Sequence, residues 1–338
     1  MFGFTAHFAD DVVFINGKEY CSNEILTSCL NILPDDMRDV LARLCSLRTA
    51  TQIKDSDKDH SKFNRAVEDA QELFLHVGSI IKMLPPYSKM DELVAKLDSP
   101  LLLSCIHDTG GVMDDGFLLT RKTNKAIRIL FDQFISIVED MVRIQFAYTQ
   151  LLDDYIHCNR KYPSINETAS IFERYFSETE RCSDLMCVRS SGSLEITHGI
   201  HFGRFCDTYN FESLGAFIYV DFFRGLERLF IPRRCDNCGL YFLLKSGAYS
   251  NYCERPLKED KEKTCRIVGS RRRFDDKCKN NPVWLAYTRA YKAHYARYMK
   301  KKMTTSEFEE WSHYALELRD KAERGEIEYE KYVACIRI

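Results

Sequence analysis

Apolar residues recur at three- and four-residue steps over several long stretches, and polar, glycine- or proline-bearing segments separate them. Phe63, Ala66, Val67, Ala70, Leu73, Phe74, Val77, Ile80 and Ile81 define one helical face, which Pro85-Pro86 stops. A longer helix is predicted from Thr123-Asn124 to about Tyr155, with Ile127, Phe131, Phe134, Val138, Met141, Tyr148 and Leu152 inward. Its Asp132, Glu139, Asp140 and Arg143 exclude a membrane span. Shorter helices are expected near 22–32, 35–47 and 88–97, and Ser164-Ile165-Asn166-Glu167 opens another with a capping box. An Asn210 cap leads into a helix carrying Leu214, Phe217, Ile218, Phe222, Leu226 and Leu229, which ends at Phe230.

Strand signals are few. Asn16-Gly17 between Val12–Ile15 and Lys18–Tyr20 reads as a β-hairpin, and 194–197 with 200–202 read as short strands. Near the C-terminus, Asn281-Pro282 opens a helix with Trp284, Tyr287, Tyr291, Tyr295 and Tyr298 on one stripe. Thr304-Thr305-Ser306-Glu307 caps the next, with Phe308, Trp311, Ala315, Leu318 and Ala322 inward until Gly325. The two should pack as an antiparallel hairpin over 282–324, while 326–338 give no signal. The expected fold is mainly α with small β elements. A helical domain over 1–190 with a short N-terminal β-hairpin precedes a second domain over 191–338.

Composition changes this picture in two ways. No basic and apolar leader opens the chain, and no apolar run reaches the roughly 18 residues of a membrane span, so a soluble, cytoplasmic protein without a membrane partner is expected. The formal charge of −2 hides a polarised distribution. Residues 231–303 hold 19 Lys and Arg against 7 Asp and Glu, a net +12, which leaves −14 for the rest. Such a segment attracts phosphate backbones or acidic protein surfaces.

The strongest chemical signal lies within 233–273, where Cys235, Cys238, Cys253 and Cys265 have the order of a structural zinc site. A Cys-x-x-Cys knuckle followed by Gly239, a hairpin over 240–252 and a helix opening at Cys265 would make a treble-clef-like zinc finger. Cys278 competes as the fourth ligand, because the stretch 254–264 is long for a ligand pair. Other candidates are weaker and are read as structural: the loop 107–116, the pair Cys182 and Cys187, and His198 and His201 with Cys206. A zinc deaminase is excluded because no His is followed two residues later by Glu, and no His occurs between 202 and 293 to open the site for hydrolysis. Four thiolates leave no position for water, so the zinc is expected to be structural and the protein not an enzyme.

Arg266, Arg271, Arg272, Arg273, Lys277, Lys279, Arg289, Lys292, Arg297 and Lys300 follow the finger and are candidate contacts to DNA or RNA. An acidic protein partner is the alternative. The aromatic stripe of 284–298 is read as core-facing.

The runs Arg234-Cys-Asp-Asn-Cys-Gly-Leu-Tyr-Phe242, Asn251-Tyr-Cys253 and Thr264-Cys-Arg-Ile-Val-Gly269, with the Phe308/Trp311 helix, resemble the uncharacterised bacterial family named domain of unknown function 6076, over about 190–325. The finger is more distantly similar to the CGNR zinc finger of bacterial regulator-like proteins, whose last two cysteines are closer and whose tetrapeptide is absent here. The resemblance implies the four zinc ligands and leaves the activity open.

Overall fold

Asn16 and Gly17 both take positive φ, 52° and 77°, as a two-residue hairpin turn of the primed type requires. They join β2 (Val12–Ile15) to β3 (Lys18–Cys21) in antiparallel register. A further strand, β1 (Phe4–Ala9), lies on the other side of β2 and pairs beyond it with β5 (Arg204–Phe211), which in turn carries β4 (Ile196–His201). The resulting antiparallel sheet has the order β3-β2-β1-β5-β4. These strands belong to a computed structural model that describes residues 3–32, 34–50, 61–90, 115–158, 163–179, 196–244 and 249–337.

Helices supply most of the remaining structure. In the first part of the chain they are α1 (Glu24–Leu30), α2 (Pro34–Ala50), α3 (Ser61–Ile81), α4 (Asp115–Gln150), α5 (Ile165–Thr179) and α6 (Leu214–Glu227). The apolar face of α4 forms the centre of the core, with Phe131, Phe134, Val138, Met141 and Tyr148 fully buried. Phe74 of α3 stacks on Phe134 at 4.9 Å, and Phe222 of α6 meets Tyr148 edge-on at the same separation. Past Gln150 the helix widens into a π-helical turn (Leu151–Ile156) that ends at the buried His157.

Two polar networks tie distant segments into this core. Asn23, left-handed at φ 65°, donates its backbone amide to Asp221 Oδ2 at 2.8 Å and its side-chain amide to the Phe230 carbonyl at 2.7 Å. Gly225 makes room for that side chain, since a Cβ there would stand 2.1 Å from Asn23 Nδ2. Burial pushes the Asp221 carboxyl up to about 7. In the second network, Asn31 exchanges two hydrogen bonds with the backbone of Tyr241, at 2.9 and 2.6 Å, so an amide side chain continues the sheet pattern. Tyr241 opens β7 (Tyr241–Leu244), which pairs with β6 (Ile231–Arg234).

Contacts divide the chain into two units, one of residues 1–235 and 239–251, the other of 236–238 and 252–338. The boundary expected at 190/191 falls inside the first unit, where β5 pairs with β1 in a register of five residue pairs. The second unit contains α7 (Cys265–Asn280), α8 (Pro282–Met299), α9 (Thr305–Glu323) and α10 (Tyr329–Ile336). Ala290, Ala315, Leu318, Tyr332 and Ile336 form its core. The caps read from the sequence are formed: Asn281 accepts from the amide of Val283, and Thr304 and Glu307 complete a capping box. The Ser164–Glu167 box also closes, in both directions.

The protein is mainly helical with small antiparallel sheets. Two expectations need correction, and one segment without a sequence signal proves to be structured. Asn210 does not cap a helix: it lies within β5, opposite Thr5, and Ser213 caps α6 by accepting from Ala216 at 3.1 Å. The segment after 325 is structured as α10, whose Tyr332 is fully buried. The strand after the cysteine knuckle pairs backward with the one before it, so the hairpin expected over 240–252 is not formed among the described residues. The helix expected at 88–97, the loop 107–116 and the pair Cys182 and Cys187 lie wholly or mostly outside the described residues.

Candidate metal centre

Pairing of β6 with β7 places residues 235–240 at the tip of a two-stranded ladder. Two backbone bonds close that tip, from Cys235 N to the Leu240 carbonyl at 3.0 Å and from Gly239 N to the Cys235 carbonyl at 2.9 Å. Gly239 turns the chain with φ 74°, which an L side chain rarely adopts. The first two cysteines are therefore presented from a knuckle.

The third and fourth arrive from a loop whose length has a structural cause. Residues 254–264 fold on themselves: Pro256 pairs with Thr264 in an antiparallel bridge, and Leu257 N donates to the Lys263 carbonyl at 2.9 Å. Asp260 fixes the turn by accepting from Glu262 N at 3.1 Å and from Lys263 Nζ at 2.5 Å; the Lys263 ammonium holds its carboxyl below the usual range. Cys265 N then bonds the Arg255 carbonyl and Arg266 N bonds the Cys253 carbonyl, each at 3.0 Å. The long stretch thus brings Cys253 and Cys265 side by side.

All four sulfurs lie within 4.8 Å of one another. Cys235, Cys253 and Cys265 are buried and Cys238 is exposed. The Cys238 and Cys253 sulfurs are 3.7 Å apart, far beyond a disulfide bond. A tetrahedral ion with metal–sulfur bonds of about 2.3 Å would hold its thiolates about 3.8 Å apart. The donor set and its spacing therefore fit a metal ion. The Asn237 side-chain amide donates to Cys265 Sγ at 3.3 Å, and Arg272 Nη1 donates to Asn237 Oδ1 at 3.3 Å. The sequence reading missed Asn237, although its position inside Cys-Asp-Asn-Cys was the available signal.

Cys278, the rival ligand, is absent from this cluster. It is buried on α7, where its sulfur meets Thr288 Oγ1 at 3.2 Å. The other candidates also have different partners. His198 bonds Asp207 Oδ1 at 2.9 Å, His201 stacks on His7 at 4.1 Å, and the Cys206 thiol points to the carbonyls of Arg204 and His201.

The ten basic candidates separate into two groups. Arg266 pairs with Glu254 at 2.7 Å, Lys277 pairs with Glu323 at 3.2 Å, and Arg272 reaches Asn237. Arg271, Arg273, Lys279, Arg289, Lys292, Arg297 and Lys300 are exposed and have no carboxylate at ion-pair distance among the described residues. The aromatic stripe of α8 packs on Phe308 and Trp311 of α9 but is only half-buried, with Tyr295 45% exposed. His294 stacks on Trp311 at 3.8 Å, Tyr298 stacks on Phe308 at 5.2 Å, and the Trp284 ring has both the Lys277 ammonium and the Arg319 guanidinium over it, at 3.8 and 4.2 Å from its centre. Among the described residues no helix is long and apolar enough to cross a membrane.

Residues 195–336 match a family described as a family of unknown function, DUF6076. That stretch carries all four cysteines and every basic candidate, so the cysteine cluster lies within the matched residues. No curated protein and no solved structure matches the chain.

Proposed function

We propose that the four cysteines hold a structural zinc ion and that the basic helices beside it contact the phosphates of DNA or RNA, without enzymatic turnover. A thiolate-only donor set suits zinc, and its binding energy, on the order of 10 kcal/mol or more, becomes folding energy for the segment it ties. Four protein ligands leave a tetrahedral ion with no place for water, which argues against hydrolysis at the metal. A cytoplasmic location accords with a centre that needs reduced thiols.

The observation that carries the nucleic-acid reading is the set of seven exposed basic residues with no ion pair among the described residues, six on α7 and α8 and Lys300 at the end of α8. Asp275 and Asp276 lie on the same helix and still make no ion pair with them. An acidic protein partner is the competing reading, supported by the internal pairs of Arg266 and Lys277. The test is binding of the full chain to nucleic acid as salt is raised. Affinity should fall linearly on a log–log plot with a slope of several, each neutralised phosphate contributing about 0.7 to 0.9. Absence of binding to DNA and RNA at low ionic strength rejects the reading.

A further inference from the structure

The two edges of the five-stranded sheet are guarded differently. β3 presents Lys18 and Glu19 at one edge, and charged side chains on an exposed edge oppose pairing with another strand. β4, at the other edge, reads Ile196-Thr-His-Gly-Ile-His201 and holds no Asp, Glu, Lys or Arg. Among the described residues its one hydrogen-bonded strand neighbour is β5. Its apolar side chains are open as well. Ile196 is 48% exposed and Ile200 68%, and Phe205, opposite Ile200 on β5, is 84% exposed.

The turn of the β4–β5 hairpin determines which backbone groups of β4 face outward. Phe202 and Gly203 take φ 52° and 74°, a two-residue turn whose flanking residues, His201 and Arg204, are a hydrogen-bonded pair. Bonding alternates along an antiparallel pair, so Thr197 and Gly199 also bond toward β5, while Ile196, His198 and Ile200 aim N–H and C=O away from the sheet. The side chains of these three share one sheet face with Phe205, Asp207 and Tyr209. Further in on that face Phe8 and Tyr209 meet edge-on at 5.3 Å, and the Asp207 carboxylate is matched by Arg224 at 2.5 Å and His198 at 2.9 Å. The rim at Ile196, Ile200 and Phe205 is therefore apolar and not backed by an unmatched charge.

We propose that β4 is the docking edge for a second copy of this chain, the two β4 strands pairing antiparallel about a two-fold axis at His198 and joining both sheets into one. The sequence of the strand selects this partner and this register. Ile196 and Ile200 stand two residues either side of His198, so about that axis each Ile196 meets Ile200 of the second copy, on the exposed face. Moving the axis by one residue, to Thr197 or Gly199, sets an isoleucine against His198 instead. On the opposite face Thr197 meets Gly199, which has no side chain to crowd it. A two-fold interface must be self-complementary. A strand donated by an unrelated protein requires no such symmetry.

Sedimentation equilibrium of the full chain over a range of concentrations is the test. A monomer–dimer equilibrium with a dissociation constant on the order of micromolar is expected, because the paired edge is short. Ile200→Lys changes an exposed side chain and strikes both symmetry-related contacts, so it should weaken the dimer by at least about tenfold with circular dichroism unchanged. Register is read by mild oxidation of His198→Cys. The two-fold brings the paired Cα atoms to about 5.5 Å, within disulfide range, and peptide mass mapping should find a 198–198 link. Ile196→Cys should not link to itself, since its symmetry mate lies more than about 13 Å away along the strand. A chain that stays monomeric throughout, a dimer that Ile200→Lys leaves at the parent affinity, or a 196–196 link in place of 198–198 overturns the proposal.

Discussion

The side-chain amide of Asn237 donates to the sulfur of Cys265, 28 residues away, while its oxygen accepts from Arg272. The knuckle and the helix opening at Cys265 are thereby joined by a polar bridge as well as by proximity of thiols. A hydrogen bond to a thiolate orients it and offsets part of its charge, and such outer partners are typically worth about 10–100-fold in metal affinity. Asn237→Ala should weaken zinc retention against a competing chelator by about tenfold or more. Asn237→Asp, which turns a donor into a carboxylate beside a thiolate, should weaken it further. Chelator competition that leaves both variants at the parent affinity contradicts this role.

The fourth ligand is decided by paired substitutions. Cys265→Ser removes a sulfur from the cluster and should abolish stoichiometric metal binding. Cys278→Ser keeps the cluster and alters only a buried contact with Thr288, so it should retain the metal at a stability cost of about 1 kcal/mol. Metal content measured on both proteins distinguishes them, and the reverse pattern would assign the site to Cys278.

Asp221 predicts a pH dependence of unusual sign. Its folded pKa of about 7 exceeds the ordinary 3.8, so the folded state holds a proton that the unfolded chain releases. The associated stability is present at low pH and is lost as pH rises from about 4 to 7. Asp221→Asn keeps an oxygen acceptor for the Asn23 amide and has no charge to bury. At pH 8 it should therefore be more stable than the parent by on the order of 2 kcal/mol, with a flatter stability profile between pH 4 and 7. Denaturant unfolding across that range is the measurement, and a variant less stable than the parent at pH 8 refutes the assignment.

His157 acts in the opposite direction. Burial, with the Arg233 charge adding to it, lowers its pKa to about 4, although the Pro232 carbonyl, 2.8 Å from Nε2, favours the proton. Nδ1 meets the Tyr249 hydroxyl at 3.0 Å, and Arg233 donates to that same hydroxyl. The unfolded chain takes up a proton near pH 6.5 that the folded state refuses until about pH 4. Stability should therefore drop by on the order of 3 kcal/mol as pH falls through that window. His157→Gln should lose this acid dependence and be less stable at pH 7 by about 1–3 kcal/mol, because one of the two bonds is forfeited. An unchanged acid slope in the variant would sink the prediction.

Features set by neighbouring residues were legible in the sequence, and features set by distant ones were not. Asn16-Gly17, Ser164–Glu167, Asn281-Pro282 and Thr304–Glu307 each determine a turn or cap within four residues, and all four form. Cysteine spacing likewise identified the cluster, because two ligands come from one knuckle. Pairing of β1 with β5 joins segments some 200 residues apart and has no local signature. For the same reason Asn210 resembled a cap while serving as a strand residue, its side chain 2.7 Å from Thr5 Oγ1. The buried face of α10 was hidden because only Tyr332 and Ile336 in that short segment are fully enclosed. Three of the ten basic candidates proved to have internal partners, which net charge alone cannot distinguish from a solvated face.

The central claim is that Cys235, Cys238, Cys253 and Cys265 together hold one structural metal ion. Elemental analysis of the purified full chain, alongside Cys235→Ser and Cys265→Ser, tests it most directly. One zinc per chain is expected in the parent, with loss of the metal in both variants and unfolding of the 236–280 region when a strong chelator is added. Metal content equal in all three proteins, or a parent that stays folded without metal while its four thiols remain reduced, would contradict the claim.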